Sequence, residues 1–140
     1  MSNESLDASL VIKNALLASS LSKRAGTRLS MHGISFTEYL VMDYLASSDF
    51  KAVARIELAE SMGMSASGIT RLIAPMEKNH LIEKVVNPRD ARQSLVKLSD
   101  TGERLYGEAK VSFEQIAKEM VGGLSKAQKE KMLELCSKVF

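Results

Sequence analysis

Small and hydrogen-bonding side chains are concentrated in one short segment in the middle of the chain. This segment carries Ser65, Ala66, Ser67, Thr70 and Arg71, whereas a solvated helix face is usually richer in Glu and Lys. Small side chains let a helix descend into a major groove about 12 Å wide, where hydroxyl and guanidinium groups can reach base edges or phosphates. We therefore predict that these residues form the DNA-contacting face of a recognition helix.

Charged residues form a second candidate site further along the chain. Arg89 and Arg92 bracket Asp90 in a polar segment that follows an Asn-Pro pair. An arginine at a loop tip can enter the narrow, electronegative minor groove. Asp90 can hold an arginine fork through a bidentate pair, which lowers the entropy lost on docking. We predict DNA contacts from both arginines, and phosphate contacts from Lys84 and Lys97 on either side.

The spacing of three other residues indicates the motif that would position the recognition helix. A helix-turn-helix needs a small residue where its two helices cross, and Ala59 supplies it. Four positions later the turn needs a residue that tolerates positive φ, and Gly63 does so. Six positions beyond, Ile69 supplies the apolar anchor of the second helix. Two adjacent helices of any helical domain would give the same spacing, but the small polar residues of the second helix favour the motif.

Helical periodicity dominates the rest of the chain. Apolar residues at helical spacing from Leu6 to Leu21 predict a long N-terminal helix, and Gly33 breaks the chain after it. Capping-box sequences begin at Ser35 and Ser125, where a hydroxyl and a side chain three residues later satisfy reciprocal backbone donors. Each of these boxes should open a helix.

The period changes between the recognition helix and the last two helices. Residues 81–86 and 95–98 are rich in branched apolar side chains, and the polar residues 87–94 lie between them. This pattern predicts a β-hairpin with a long tip, followed by a helix whose N-cap is Ser99. The predicted fold is mainly α with a small β-hairpin wing, in the order four helices, hairpin, two helices.

Several short motifs together carry a resemblance to a known family. The chain resembles the MarR family of multiple-antibiotic-resistance-type regulators, and the similarity is close over residues 35–102. The motifs that carry it are Glu57-Leu58-Ala59, Gly63-Met64-Ser65, Ile69-Thr70-Arg71-Leu72, Met76-Glu77-Lys78, Leu81-Ile82, Asp90-Ala91-Arg92 and Leu98-Ser99-x-x-Gly102.

This resemblance implies a winged helix-turn-helix and a division of labour along the chain. Residues 1–34 and 101–140 would be dimerisation helices, and residues 35–100 would be the DNA-binding lobe. The expected partners are a second copy of the chain and double-stranded DNA with a pseudo-palindromic operator. The resemblance also implies repression relieved by a small aromatic or anionic effector bound between the dimer helices and the lobe. Tyr39 and Tyr44 are our candidate pocket walls, because a tyrosine offers an apolar face and one orienting hydroxyl.

Two positions depart from what the family or the helix requires. His80 stands where the family usually has a glycine, and both Asn79 and His80 tolerate positive φ well enough for the helix cap to survive. Pro75 lies within the predicted recognition helix, cannot donate to the Arg71 carbonyl, and should kink the helix there. The half of the helix that would meet DNA precedes this kink.

The composition and the few histidine and cysteine residues argue against a membrane protein, a metalloprotein and an enzyme. The chain has 140 residues, a net charge of +2 and one cysteine, which fits one folded domain in a reducing compartment, the cytoplasm. No stretch approaches the roughly 20 apolar residues of a membrane span. His32 and His80 have no partner at metal-ligand spacing, and Cys136 should pack on the apolar stripe of the last helix, so we expect no metal, cofactor or enzymatic activity. A winged-helix protein-interaction module without DNA binding is the alternative.

Overall fold

The computed structural model describes residues 5–139 and has the predicted order of helices and hairpin. The ends of the two predicted dimerisation segments, residues 1–4 and Phe140, lie outside the described residues. No helix within the described part of the chain is long and apolar enough to cross a membrane. The elements are α1 (Leu6–Leu29), a 3-10 turn (Ser30–His32), α2 (Phe36–Ser47), β1 (Ala52–Ala54), α3 (Arg55–Ser61), α4 (Ala66–Lys78), β2 (Ile82–Asn87), β3 (Asp90–Leu98), α5 (Asp100–Met120) and α6 (Lys126–Val139).

The helices begin where their capping sequences predict. The Ser35 hydroxyl accepts a hydrogen bond from the Glu38 backbone N–H at 3.1 Å, and the Glu38 carboxylate accepts from the Ser35 N–H at 2.9 Å. Ser125 and Gln128 form the same reciprocal pair at the start of α6. Ser99 caps α5 as predicted. These local contacts satisfy backbone donors that have no partner within the helix itself.

The sheet has three antiparallel strands in the order β1-β3-β2, and its first strand was not predicted. The predicted loop over residues 87–94 is wrong, because β3 already begins at Asp90. Pairing runs regularly to Val86 opposite Ser94 and then shifts, so that Asn87 pairs with Asp90 around a tight turn. The tip is polar because both of its faces meet solvent, and it therefore lacks the alternation that marks a half-buried strand.

The core joins the helix-turn-helix, the sheet and the following helix into one unit. Buried side chains from α2, α3, α4, all three strands and α5 form a continuous cluster. Gly102 lies at the junction, in the first turn of α5, where its backbone packs against the carbonyl of Leu81. The largest side chains buried in this cluster are Tyr39, Leu29, Met42, Leu45, Leu58, Ile69, Ile73 and Met76.

The two ends of the chain bury little within a single protomer. Only Ala25 and Leu29 of α1 are buried, and α6 has no buried residue. Leu10 is 60% exposed and Leu133 is 69% exposed. Cys136, which we predicted to be buried, is exposed, because no part of the described protomer covers this face of α6.

Candidate nucleic-acid interface

The predicted recognition helix is α4, and its two faces differ sharply. Ser65 caps the helix by accepting from the Gly68 N–H at 3.1 Å. Ile69, Ile73 and Met76 are buried on the inner side. All five residues predicted to contact DNA in this segment are exposed, and three of them lie on one face at helical spacing (positions 67, 70 and 71).

The helix-turn-helix motif has the geometry that the sequence predicts. Ala59 is buried where α3 meets α4, and its carbonyl accepts from the Met64 N–H at 2.9 Å. Gly63 has φ of +65°, a conformation that glycine adopts without a steric penalty. Ile69 is buried as the predicted apolar anchor. The motif therefore fixes α4 with its polar face outward.

At the end of α4, His80 adopts the left-handed conformation for which the family usually has a glycine. His80 has φ of +61°, while Asn79 stays at a negative φ. The Leu81 N–H donates to the Met76 carbonyl at 2.9 Å, and the His80 N–H donates to the Glu77 carbonyl at 3.0 Å. This is a Schellman arrangement, so the helix cap survives as predicted. The helix continues through Pro75, and the kink there stays a prediction.

The tip of the wing, the hairpin formed by β2 and β3, is organised by its own side chains. One carboxylate oxygen of Asp90 accepts from the Arg92 backbone N–H at 3.1 Å and from Arg92 Nε at 3.3 Å. Asp90 therefore orients the arginine, though through Nε alone and not through the expected bidentate pair. The Arg92 side chain is 93% exposed. The Arg89 N–H donates to the Asn87 side chain at 2.9 Å, which closes the turn.

The two lysines predicted to contact phosphate are already in ion pairs. Lys84 Nζ lies 3.7 Å from a carboxylate oxygen of Glu77, and Lys97 Nζ lies 3.4 Å from one of Glu83. Exposed pairs of this kind contribute roughly 0–1 kcal/mol, so DNA can compete with them. Their net attraction for phosphate is nevertheless lower than that of an uncompensated cation.

The two tyrosines predicted as pocket walls occupy different environments. Tyr39 is 2% exposed and its ring lies 4.7 Å from that of Phe113 and 5.5 Å from that of Tyr106. Burial, with a smaller effect from the charge of Asp43, raises the pKa of Tyr39 to about 12. Tyr44 instead donates to Glu57 at 3.2 Å and lines a shallow depression beside the loop after α2. The structure does not bring the two rings together.

Two cationic residues that we did not select from the sequence lie beside α4. Arg55 and Lys78 line one depression together with Thr70. The spacing from Thr70 to Lys78, eight residues, places both on one side of the helix and could have identified Lys78. No pattern in the sequence marks Arg55, because its position depends on how α3 packs against α4.

Comparisons with known proteins agree with this geometry. The family described as Transcriptional regulator SarA/Rot matches residues 25–109. The HTH-type transcriptional regulator YwaE of Bacillus subtilis is 25% identical over 111 residues, which are 79% of this chain, and the chain spans 64% of that relative's length. A Bacillus cereus protein described as a MarR-like transcription regulator is 26% identical with a TM-score of 0.78, covering 94% of both chains. A MarR family regulator from Streptomyces coelicolor, solved in complex with DNA, shares the fold at 20% identity and a TM-score of 0.84, covering 99% of this chain and 89% of its own.

Proposed function

The chain belongs to the SarA/Rot family of transcriptional regulators, within the MarR-type winged-helix regulators, and on this premise we propose that it is a sequence-specific DNA-binding repressor of the cytoplasm. The observation that carries the proposal is the outward polar face of α4, with Ser67, Thr70 and Arg71 exposed on a helix that the core holds rigidly. The Streptomyces coelicolor protein has the same fold and was solved with DNA, which supports this assignment.

The proposed docking places α4 in the major groove and the wing in the adjacent minor groove. Arg71 provides a cation at the base edges, and Arg89 and Arg92 provide cations at the tip of the wing. Arg71 and Arg89 make no ion pair among residues 5–139, so their charges are available to phosphates. Lys84 and Lys97 add phosphate contacts after release from their glutamate partners.

We propose a homodimer because the helical ends need a partner surface. Residues 1–34 and 101–140 would form the dimerisation segments around a DNA-binding lobe of residues 35–100. Soluble monomers rarely expose contiguous apolar patches larger than a few hundred Å². The large apolar side chains exposed on these helices are Leu6, Leu10, Val11, Ile12, Leu16, Leu17, Val111, Met132, Leu133, Leu135 and Val139.

A depression between α1 and α2 supports the proposal of a small aromatic or anionic effector. It is open to solvent on one side, has a volume of about 490 Å³ and includes Ser22, Gly26, Phe36 and Thr37 in its lining. Ligand pockets typically have volumes of about 300–1,000 Å³. The depression lies where the proposed dimerisation helix meets the lobe, so an occupant could change the distance between the two copies of α4. The assignment of Tyr39 and Tyr44 to an effector site stays a prediction.

The decisive experiment is selection of bound duplexes from a random pool, followed by fluorescence anisotropy on the enriched sequences. We expect an inverted repeat with half-sites about one helical turn apart, because a two-fold dimer presents two recognition helices at that spacing. Arg71→Ala should weaken binding to the repeat, whereas Arg104→Ala, an equal charge change on α5, should not. Weak salt-sensitive binding without any enriched sequence would contradict sequence-specific recognition and favour the protein-interaction alternative.

A further inference from the structure

A cationic cleft lies along one side of α4, at the edge of the face predicted to read base edges, with which it shares Thr70. We propose that it binds one backbone phosphate of the DNA and that Arg55 and Lys78 are its principal ligands. This inference rests on the proposed function and adds two residues, Arg55 of α3 and Lys78 at the end of α4, to the DNA contacts proposed above. The cleft, which we call the flank cleft, is open to solvent, has a volume of about 500 Å³ and is lined by Arg55, Thr70, Ala74, Glu77, Lys78 and Lys84.

The first argument is an unsatisfied donor. Arg55 Nε is the one buried side-chain nitrogen or oxygen within residues 5–139 that lacks a hydrogen-bond partner. Buried polar groups are normally paired, and a guanidinium cannot escape the cost of burial by losing its proton. Arg55 as a whole is only half-buried and lines the cleft, so an anion from outside would meet its guanidinium at the cleft wall and not at the shielded Nε. Phosphate oxygens match the planar fork of arginine.

The second argument is the balance of charge in the cleft. Its lining carries three cationic side chains and one carboxylate. The carboxylate belongs to Glu77, which lies 3.7 Å from Lys84 Nζ in the unbound protein and offsets one positive charge of the cleft whether or not that pair persists on DNA. Arg55 and Lys78 have no ionic partner in the part of the chain that the structure describes. Two positive charges therefore remain for an anionic ligand.

The third argument is the position of the cleft relative to the proposed DNA. Thr70, Ala74 and Lys78 follow one another at intervals of four residues, so they lie along one side of α4. Thr70 also belongs to the exposed face that we place in the major groove. A helix in that groove has a phosphate backbone on each side, and groups on its flank meet phosphates more readily than base edges. Position thus favours a phosphodiester of the bound duplex over a free anion.

The test compares Arg55→Gln and Lys78→Gln with Arg104→Gln, a control with the same charge change outside the cleft. Affinity for the selected duplex is measured from 50 to 300 mM salt. Each lost phosphate contact should lower the slope of log K against log salt by about 0.9, which is roughly a fivefold loss of affinity at 0.15 M salt. We expect this loss for both cleft variants and none for the control. Arg55→Lys should retain the slope, because it keeps the charge.

The outcomes separate this inference from the proposed function. If the unaltered protein binds the duplex and the cleft variants keep the slope of the control, the flank cleft is not a phosphate site, while the regulator proposal stands. If the unaltered protein binds no duplex, both proposals fail. A saturable shift of the Arg55 Nε–H resonance with inorganic phosphate, together with an unchanged DNA slope, would assign the cleft to a free anion and overturn the inference. If Arg55→Gln does not fold, Lys78→Gln alone tests the cleft, because the Lys78 side chain is exposed and its substitution should not affect folding.

Discussion

Two glycines of α5 should respond in opposite ways to substitution by alanine, because only one of them lies against the DNA-binding lobe. A methyl group on Gly102 would overlap the carbonyl oxygen of Leu81, whereas a methyl group on Gly107 would meet nothing within 4 Å. The same Leu81 oxygen accepts the N–H of Ser99, the N-cap residue of α5, at 3.0 Å, so moving it costs this hydrogen bond. We therefore expect Gly102→Ala to destabilise the protein and Gly107→Ala to stabilise it.

The magnitudes follow from three effects. Alanine is favoured over glycine in a helix interior by up to about 1 kcal/mol, and at position 107 nothing opposes this gain. At position 102 the clash is with backbone, so α5 must shift, which costs roughly 1–3 kcal/mol as overpacking does in cores. Loss of the hydrogen bond from Ser99 adds about 0.5–1.5 kcal/mol. The net destabilisation by Gly102→Ala is therefore roughly 0.5–4.5 kcal/mol.

The assay is urea unfolding followed by circular dichroism, with all three proteins at the same concentration. Gly102→Ala should lower the free energy of unfolding by the amount given above, and Gly107→Ala should raise it by up to about 1 kcal/mol. Equal stability of the two variants would refute the close approach of α5 to Leu81, and with it the view that the lobe and α5 move as one body.

Three further outcomes test the interface, the dimer and the core. Arg92→Ala should weaken operator binding by about 1–3 kcal/mol at fixed salt in fluorescence anisotropy, and unchanged affinity would remove the wing from the interface. Leu10→Asp should convert a dimer to a monomer at micromolar concentration in sedimentation velocity, whereas an unaltered protein that is already monomeric would contradict the proposed assembly. Burial raises the pKa of Tyr39 from 10.0 to about 12, so its contribution to stability is complete below pH 10 and is lost as the pH rises towards 12. The free energy of unfolding should therefore fall between pH 10 and 12, and Tyr39→Phe should make this fall smaller. A free energy of unfolding that stays constant from pH 10 to 12 would contradict the assignment.

The parts of the fold that the sequence predicts are those that local chemistry determines. The capping box of Ser35 and Glu38 forms between residues three apart, and its geometry needs no other element. The positive φ of Gly63 is required by a turn of fixed length, and the burial of Ile69 follows from helical period. Each of these could be inferred because the interacting groups lie within a few turns of one another.

The parts that the sequence does not predict depend on contacts between distant segments. The strand β1 has three residues, too few for periodicity, and exists because it pairs with β3. The ion pair between Lys84 and Glu77 joins β2 to α4, and the carboxylate offsets the charge of a lysine that the sequence predicts to contact phosphate. The flank cleft likewise exists only when α3, α4 and β2 are assembled, because residues of all three line it.

The lack of any buried residue in α6 has a consequence for how the protein responds to its own abundance. If α6 acquires its packing only from a second protomer, folding of the C-terminal region and association are a single equilibrium, governed by mass action. Dilution would then loosen α6 as well as separate the protomers, so the melting temperature would rise with protein concentration. The number of copies in the cell would set both how much operator is occupied and how long each chain survives proteolysis.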